Sequence, residues 1–453
     1  MRYTHTPGPL SLSGTVPVPL DQFAQALLLA ACKPSHSALA ISISEVRRQH
    51  EINTSSFLFV FFHVFLPTAL PDSNNTDGPL YQKVLRKSFS VLFANEALIY
   101  SWIIFLSART ICLPYLTHSA REVCASSVFR RCIRLFVPTF VAYSLAAAAF
   151  SSSSSEYVSD FLRITGNVSA NTPFRLRNFL VYFNSLFDIF WLTRDYASQA
   201  ANNAFPSGTL WIVSILFQQG YTVYMTMVIV PYTRISWRVK ALLLFIVTAF
   251  WVQSWAWYSV TGFLIADAVV NMDFQARSRN GFQIAGYQAP FWPLYVLLAF
   301  IGYLLQFLFI SWNPGMRKNE LYAHTGIYTG GLLNENLDES RKLGRVDNYL
   351  IIVGIMLLVE TFEWPRHVLR SKPLVALGRR SFSVFLVQSI VIYTAGIKLW
   401  LHINKSGTSD TLNTFAVFCT CAATVALASE VFYRAIDIPS VAFARLFWAW
   451  MTK

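Results

Sequence analysis

Residues 208–231 read GTLWIVSILFQQGYTVYMTMVIVP, twenty-four positions without a single Asp, Glu, Lys, Arg or His. A helix of that length rises about 36 Å, enough to cross the roughly 30 Å hydrocarbon core of a bilayer. Working outward, comparable apolar segments lie near 57–70, 92–115, 133–150, 240–258, 260–274, 290–311, 348–363, 381–401 and 412–433. The expected fold is therefore all-α, a polytopic membrane helical bundle of about ten transmembrane helices with two longer lumenal loops. Residues 1–55 read as a poorly ordered cytosolic leader, 56–440 as the transmembrane domain and 441–453 as a cytosolic interfacial tail.

Composition agrees with a lipid solvent. Of 453 residues, 54% are hydrophobic and 13% charged, about half the charge of an ordinary soluble domain. Aromatic residues make up 16%; Trp237, Trp257, Trp292, Trp312, Trp364 and Trp400 fall at segment ends, as interfacial belts require. The net charge of +13 is spread over short connections instead of forming a basic face, which argues against a nucleic-acid partner. The six cysteines show neither metal-ligand spacing nor a disulfide framework, and no metal site is expected.

An even number of spans puts both termini on one side of the membrane. The connections then facing the cytosol carry Arg109, Arg121, Arg130 and Arg131, then Arg234, Arg238 and Lys240, then Arg277 and Arg279, then Arg366, Arg370, Lys372, Arg379 and Arg380, with Arg434 after the last span. This is a positive-inside ladder. Glycosylation sequons at Asn74, Asn167 and Asn404 fall on the side the ladder assigns to the lumen, whereas Asn53 does not. The first long lumenal connection, 151–208, contains an aromatic stretch expected to form helices along the membrane surface. The second, 312–348, is polar and reads as a surface loop.

Ionisable residues inside spans are costly and so form the short list for chemistry. His63 stands alone in SSFLFVFFHVFLP. It reads either as a general base or as a histidine hydrogen-bonded between helices. Arg130, Arg131 and Arg134 open the third span. They suit a phosphate clamp or the plain demands of topology. Asp267, inside TGFLIADAVVNM, is a second catalytic candidate or an acid reaching the interface. Gln218, Gln219 and Gln253 read as hydrogen-bonding glue between helices.

Several blocks resemble the acyltransferase 3 group of integral-membrane O-acyltransferases, in its fungal branch. FRRCIRLFVP is similar to that family's Arg-x-x-Arg-Leu-x-x-Pro block through Arg131, Arg134, Leu135 and Pro138. The 208–231 segment resembles a Trp-x-x-Ser block through Trp211 and Ser214. GFLIADA resembles a Gly-x-x-x-Ala-Asp segment through Gly262, Ala266 and Asp267, LGRRSFSVFLVQ a block through Leu377, Gly378, Ser381, Phe382, Phe385 and Leu386, and RAIDIPS a closing Asp-x-Pro-Ser. The resemblance implies transfer of an acyl group, often acetyl, from acyl-CoA to a hydroxyl of a small metabolite, lipid or glycan in the endoplasmic reticulum or another endomembrane. It implies no permanently bound cofactor, with acyl-CoA as co-substrate. It makes His63 the general base and Arg131 with Arg134 the donor anchors, and brings Trp211, Ser214 and Gln388 into the site. The chain departs from the pattern at Ile52, where arginine is expected, at Leu216, where relatives often carry Glu, and at Gln388, which replaces a late His. A polytopic transporter or flippase, and a catalytically inactive member, are the alternative readings.

Overall fold

The apolar runs fold as helices. The structure, a computed structural model, describes residues 49–71, 77–117, 120–150, 155–193, 196–284, 287–317, 342–369 and 371–452. The sequon Asn74 and nearly all of the leader lie outside the described residues. In chain order the principal helices are α1 (Gln49–Phe65), α2 (Glu96–Thr117), α3 (Arg121–Phe150), α4 (Phe179–Trp191), α5 (Trp211–Ile229), α6 (Ile235–Trp251) and α7 (Ala256–Asn271). A short antiparallel hairpin, β1 (Phe282–Ile284) with β2 (Tyr287–Ala289), follows, with Phe282 opposite Ala289. Then come α8 (Trp292–Phe307), α9 (Val346–Thr361), α10 (Ser381–Val391), α11 (Asp410–Phe432) and α12 (Ile438–Met451).

Six stretches among the described residues are long and apolar enough to cross a membrane: Phe89–Thr117, Arg121–Phe150, Pro206–Tyr232, Trp292–Trp312, Ser381–Asn404 and Asp410–Met451. The other four expected spans are helical but shorter. α1 and α6 have 17 residues each, α7 and α9 have 16, about 24–26 Å of rise against a core of roughly 30 Å. Residues 441–451, expected to belong to an interfacial tail, instead continue the last helix and pack on α3, with Phe129 5.4 Å from Phe447 and 5.7 Å from Trp448.

α1 is enclosed by the rest of the bundle. Val60, Phe61 and Val64 are at most 1% exposed, as expected of a helix apolar all round. α2 and α7 approach closely because Gly262 leaves room: a Cβ there would stand 2.7 Å from the Phe105 carbonyl oxygen. Small residues at helix contacts are how membrane helices gain close packing.

The first long connection differs from its expected place on the membrane surface. α4 turns back antiparallel along α3, with Tyr143 bonded to Ser185 at 2.7 Å and Phe136 5.4 Å from Phe190. At 13 residues it retraces about 20 Å. The chain then climbs beside α5. Gln218 Nε2 donates to the Leu192 carbonyl at 2.8 Å, Tyr196 donates to Gln218 Oε1 at 2.6 Å, and Asn202 Oδ1 accepts from the Trp211 amide at 3.1 Å. This is a re-entrant hairpin. Non-helical backbone at membrane depth is stable only where protein groups satisfy it, and the Gln218 amide supplies that. Beside it lies an apolar groove of about 450 Å³, lined by Phe136, Phe187, Trp191, Tyr221 and Phe447.

Candidate active site

His63 lies in the last turn of α1, half-buried, with its ring 5.8 Å from Phe59. No described residue hydrogen-bonds the imidazole. The helix end that carries it is fixed by Asn167, whose Nδ2 donates to the carbonyls of His63 and Val64, both at 2.9 Å. These carbonyls belong to the last turn, which has no intrahelical donors left for them. Asn167 Oδ1 in turn accepts from the Ser169 and Ala170 amides. Asn167 is 5% exposed. Its expected role as a glycan acceptor is therefore corrected: the nitrogen that would bear the sugar is buried against α1. Asn404 ends a helix at half-exposure, open to modification on steric grounds.

The aromatic wall that His63 joins leads to an ion pair, Glu96 with Lys342. Glu96 opens α2, where Asn95 Oδ1 accepts from the amides of Ala97 and Leu98 and so caps the helix. Its carboxylate is held at both oxygens, by Trp211 Nε1 at 3.3 Å and Lys342 Nζ at 2.7 Å. The Lys342 ammonium also stands 5.8 Å from the Trp211 ring, within cation–π range. Tyr100 meets Trp211 edge-on at 4.9 Å and Phe59 at 6.3 Å. The aromatic wall thus runs unbroken from the imidazole to the carboxylate.

Trp211 thus lines the same aromatic wall as the imidazole. Ser214 does not; its hydroxyl bonds Gln199 Oε1 at 3.3 Å and pins the re-entrant hairpin. Gln388 donates from Nε2 to Ser56 Oγ at 2.6 Å, locking α10 to α1 one helical stretch away from the imidazole. No protein-family model, curated protein or solved structure matches this chain. The site must be read from its own geometry.

Asp267, expected as a second catalytic residue, is not placed beside His63. Its carboxylate is fully buried, 3.3 Å from Arg238, and Asn271 Nδ2 donates to it at 2.7 Å. A buried acid that has found a guanidinium is a compensated charge. Arg109, expected in a cytosolic connection, is likewise buried inside α2 and paired with Glu360 at 2.9 Å.

The three arginines of α3 divide. Arg131 donates from Nη2 to Ser107 Oγ at 2.9 Å and to the Leu216 carbonyl at 2.7 Å. It reaches the α5 backbone because of Gly220, where a Cβ would stand 2.7 Å from the Arg131 Nε. Arg131 thus ties three helices together. Arg134 is exposed and acts on the buried carboxylate of Asp437; Arg130 lies within the fields of Arg134 and Arg445. Arg130, Arg134 and Arg445 are near enough to act on one another, while Arg131 is turned towards α2 and α5. Eleven positions of α2 separate Glu96 from Ser107, about 16 Å, so the Glu96–Lys342 pair and the Arg131 guanidinium occupy different levels of the bundle. Among the described residues no group of three or more His, Cys, Asp or Glu is arranged to hold a metal.

Glu96 and Lys342 escaped the sequence reading. An acid in a first helical turn is what the helix dipole favours anyway, and Lys342 sits in a polar connection 246 residues away. Only the fold makes them neighbours.

Proposed function

We propose that this chain is a multi-pass membrane O-acyltransferase that moves an acyl group, acetyl in the simplest case, from acyl-CoA to a hydroxyl of a small metabolite, lipid or glycan. The observation that carries the proposal is an imidazole without a hydrogen-bonding partner among the described residues, in an apolar helix and joined by an aromatic wall to the half-buried Glu96–Lys342 ion pair. In this reading His63 takes the proton of the acceptor hydroxyl as the oxygen attacks the thioester carbonyl. The new C–O bond forms, the C–S bond breaks, and the thiolate of coenzyme A receives the proton. Positioned proton removal of this kind contributes about 10²- to 10⁴-fold. Arg134 and Arg130, with Arg445, anchor the donor phosphates, and the long arm of coenzyme A spans the drop between the two levels. Ten spans in an endomembrane, with both termini and the arginine mouth in the cytosol, complete the proposal.

Membranes carrying the chain are incubated with acetyl-labelled acetyl-CoA, and the label is followed into product. Wild type transfers label to a hydroxyl-bearing acceptor, and His63→Ala does not, at equal expression. Label transfer that survives His63→Ala removes the histidine from the reaction; solute uptake without covalent labelling points instead to a carrier.

A further inference from the structure

We infer that the tip of the re-entrant hairpin and the π-helical continuation of α10 together form a subsite for a neutral polyol, bound through hydroxyl groups gathered around Trp211. As the acceptor site of the proposed reaction it rests on the O-acyltransferase reading; as a binding site it rests on the geometry alone. Two backbone irregularities meet there. Ser207, in the turn Pro206–Gly208 that leads into α5, stands at φ 62°, ψ 2°, a left-handed conformation that a residue with a Cβ seldom adopts. Asn202 holds the turn: its Nδ2 donates to the Ala197 carbonyl at 2.9 Å, its Oδ1 accepts from the Trp211 amide, and a Cβ on Gly208 would stand 3.3 Å from that Nδ2. The turn packs on α10, which continues as the π-helical segment Ile392–Gly396. Such segments are rare inside α-helices and frequently mark functional sites. This one is held by Tyr157, whose hydroxyl donates to the Tyr393 carbonyl at 3.0 Å. The Tyr393 hydroxyl approaches Ser207 without the geometry of a hydrogen bond.

Both irregular segments carry hydroxyls that the fold leaves unpaired, and their neighbours do the same. Ser207, Thr209, Ser389, Tyr393 and Tyr100 have buried hydroxyl oxygens with no hydrogen-bond partner among the described residues, and the last four side chains are at most 1% exposed. Trp211 is their common neighbour. Thr209 lies two positions before it, and Tyr100 meets it edge-on at 4.9 Å and Phe385 at 6.3 Å; from Phe385, Ser389 and Tyr393 follow at intervals of four along one side of the helix. A folded protein leaves few buried polar groups unpaired, because each has lost its hydration without replacement. Backbone strain and unpaired hydroxyls in one place are what a fold gives up for binding. The donor set names the ligand class. Each hydroxyl both donates and accepts, and none is charged at neutral pH, so the match is an uncharged molecule with several hydroxyls and not a phosphate or carboxylate. Ser207 and Gly208 form the half-buried side of the cluster, by which the ligand enters. Phe59 meets Tyr100 at 6.3 Å and the His63 ring at 5.8 Å, so the bound polyol shares its wall with the proposed base.

The test uses the full chain in lipid nanodiscs, with tritiated glycerol, myo-inositol and methyl glucoside as probes. Equilibrium binding is measured for wild type, Tyr393→Phe, Thr209→Val and Ser389→Ala, each of which removes one hydroxyl and little else, and thermal unfolding is followed without probe. The expected result is saturable binding of at least one probe by the wild type, weakened about 10-fold by each variant, with melting temperatures at or above wild type because an unpaired hydroxyl is gone. No saturable binding of any of the three probes overturns the inference. Variants that bind as tightly as wild type overturn it too, as does a melting temperature lowered in all three, since the hydroxyls would then serve the fold. In labelled acetyl transfer to the probe that binds, Tyr393→Phe raises KM about 10-fold with little change in kcat. Probe binding that the variants weaken, with no acyl transfer by any protein, leaves the subsite standing and sinks the reaction; transfer to that probe which the variants leave untouched does the opposite.

Discussion

Two regions of this bundle bury charge, and they do so differently. Where α7 meets α6, Asp267 is closed off by Arg238 and Asn271, and where α2 meets α9, Glu360 is closed off by Arg109, with Arg366 also within 3.4 Å. Near the ends of α1 and α2, Glu96 and Lys342 pair in the same way, but the aromatic wall beside them leads to an imidazole that has no hydrogen bond among the described residues. A compensated pair holds helices in register and has nothing left to give. An imidazole without such a partner is available to take a proton, and that capacity is what the proposed reaction requires.

The comparison can be broken from either side. The largest expected effect is on stability: Arg238→Met leaves Asp267 buried without its cation and costs about 3–5 kcal/mol. Thermal unfolding in detergent measures it, and Arg238→Met together with Asp267→Asn recovers most of the loss. Full stability in the single variant would mean that Asp267 is not a structural charge. His63→Ala shows the reverse profile, a loss of about 10²- to 10⁴-fold in acyl transfer with melting temperature nearly unchanged. A variant that unfolds instead would move His63 to the structural side of the comparison.

Gly220→Ala sharpens the role of Arg131. The new methyl displaces the guanidinium from the α5 backbone at a cost of about 1–3 kcal/mol, read as a lower melting temperature with donor binding weakened only secondarily. The smallest effect is expected at Asn167, where Asn167→Ala removes two bonds to the end of α1 and costs about 1–2 kcal/mol. Electrophoretic mobility before and after glycosidase treatment is unchanged by that variant, because no sugar is expected on a buried amide. A mobility shift lost in Asn167→Ala would show that the amide faces the lumen.

Much of the fold was legible in the residues. Long runs such as 208–231 contain no charge, and in hydrocarbon a backbone without water must close its own hydrogen bonds, so each becomes a helix. His63 and Trp211 were legible for the same reason, because polar atoms in apolar runs stand out. The re-entrant hairpin was not: Phe179–Trp191 has the composition of an interfacial helix, and its insertion beside α3 depends on the Gln218 amide accepting the burden of the Leu192 carbonyl. Asp267 misled because an acid in a span looks alike whether or not a guanidinium from another helix has reached it.

Local composition by itself determined that this chain belongs in a membrane and which stretches are helical, since these follow from solvation, which acts residue by residue. Tertiary structure alone decided which charges are spent and which are not. Whether an acid is compensated depends on distances of about 3 Å between groups hundreds of positions apart, and no local pattern carries that information. Glu96 and Lys342 are the clearest instance, ordinary in their own segments and brought together only by the fold, around the ring of Trp211.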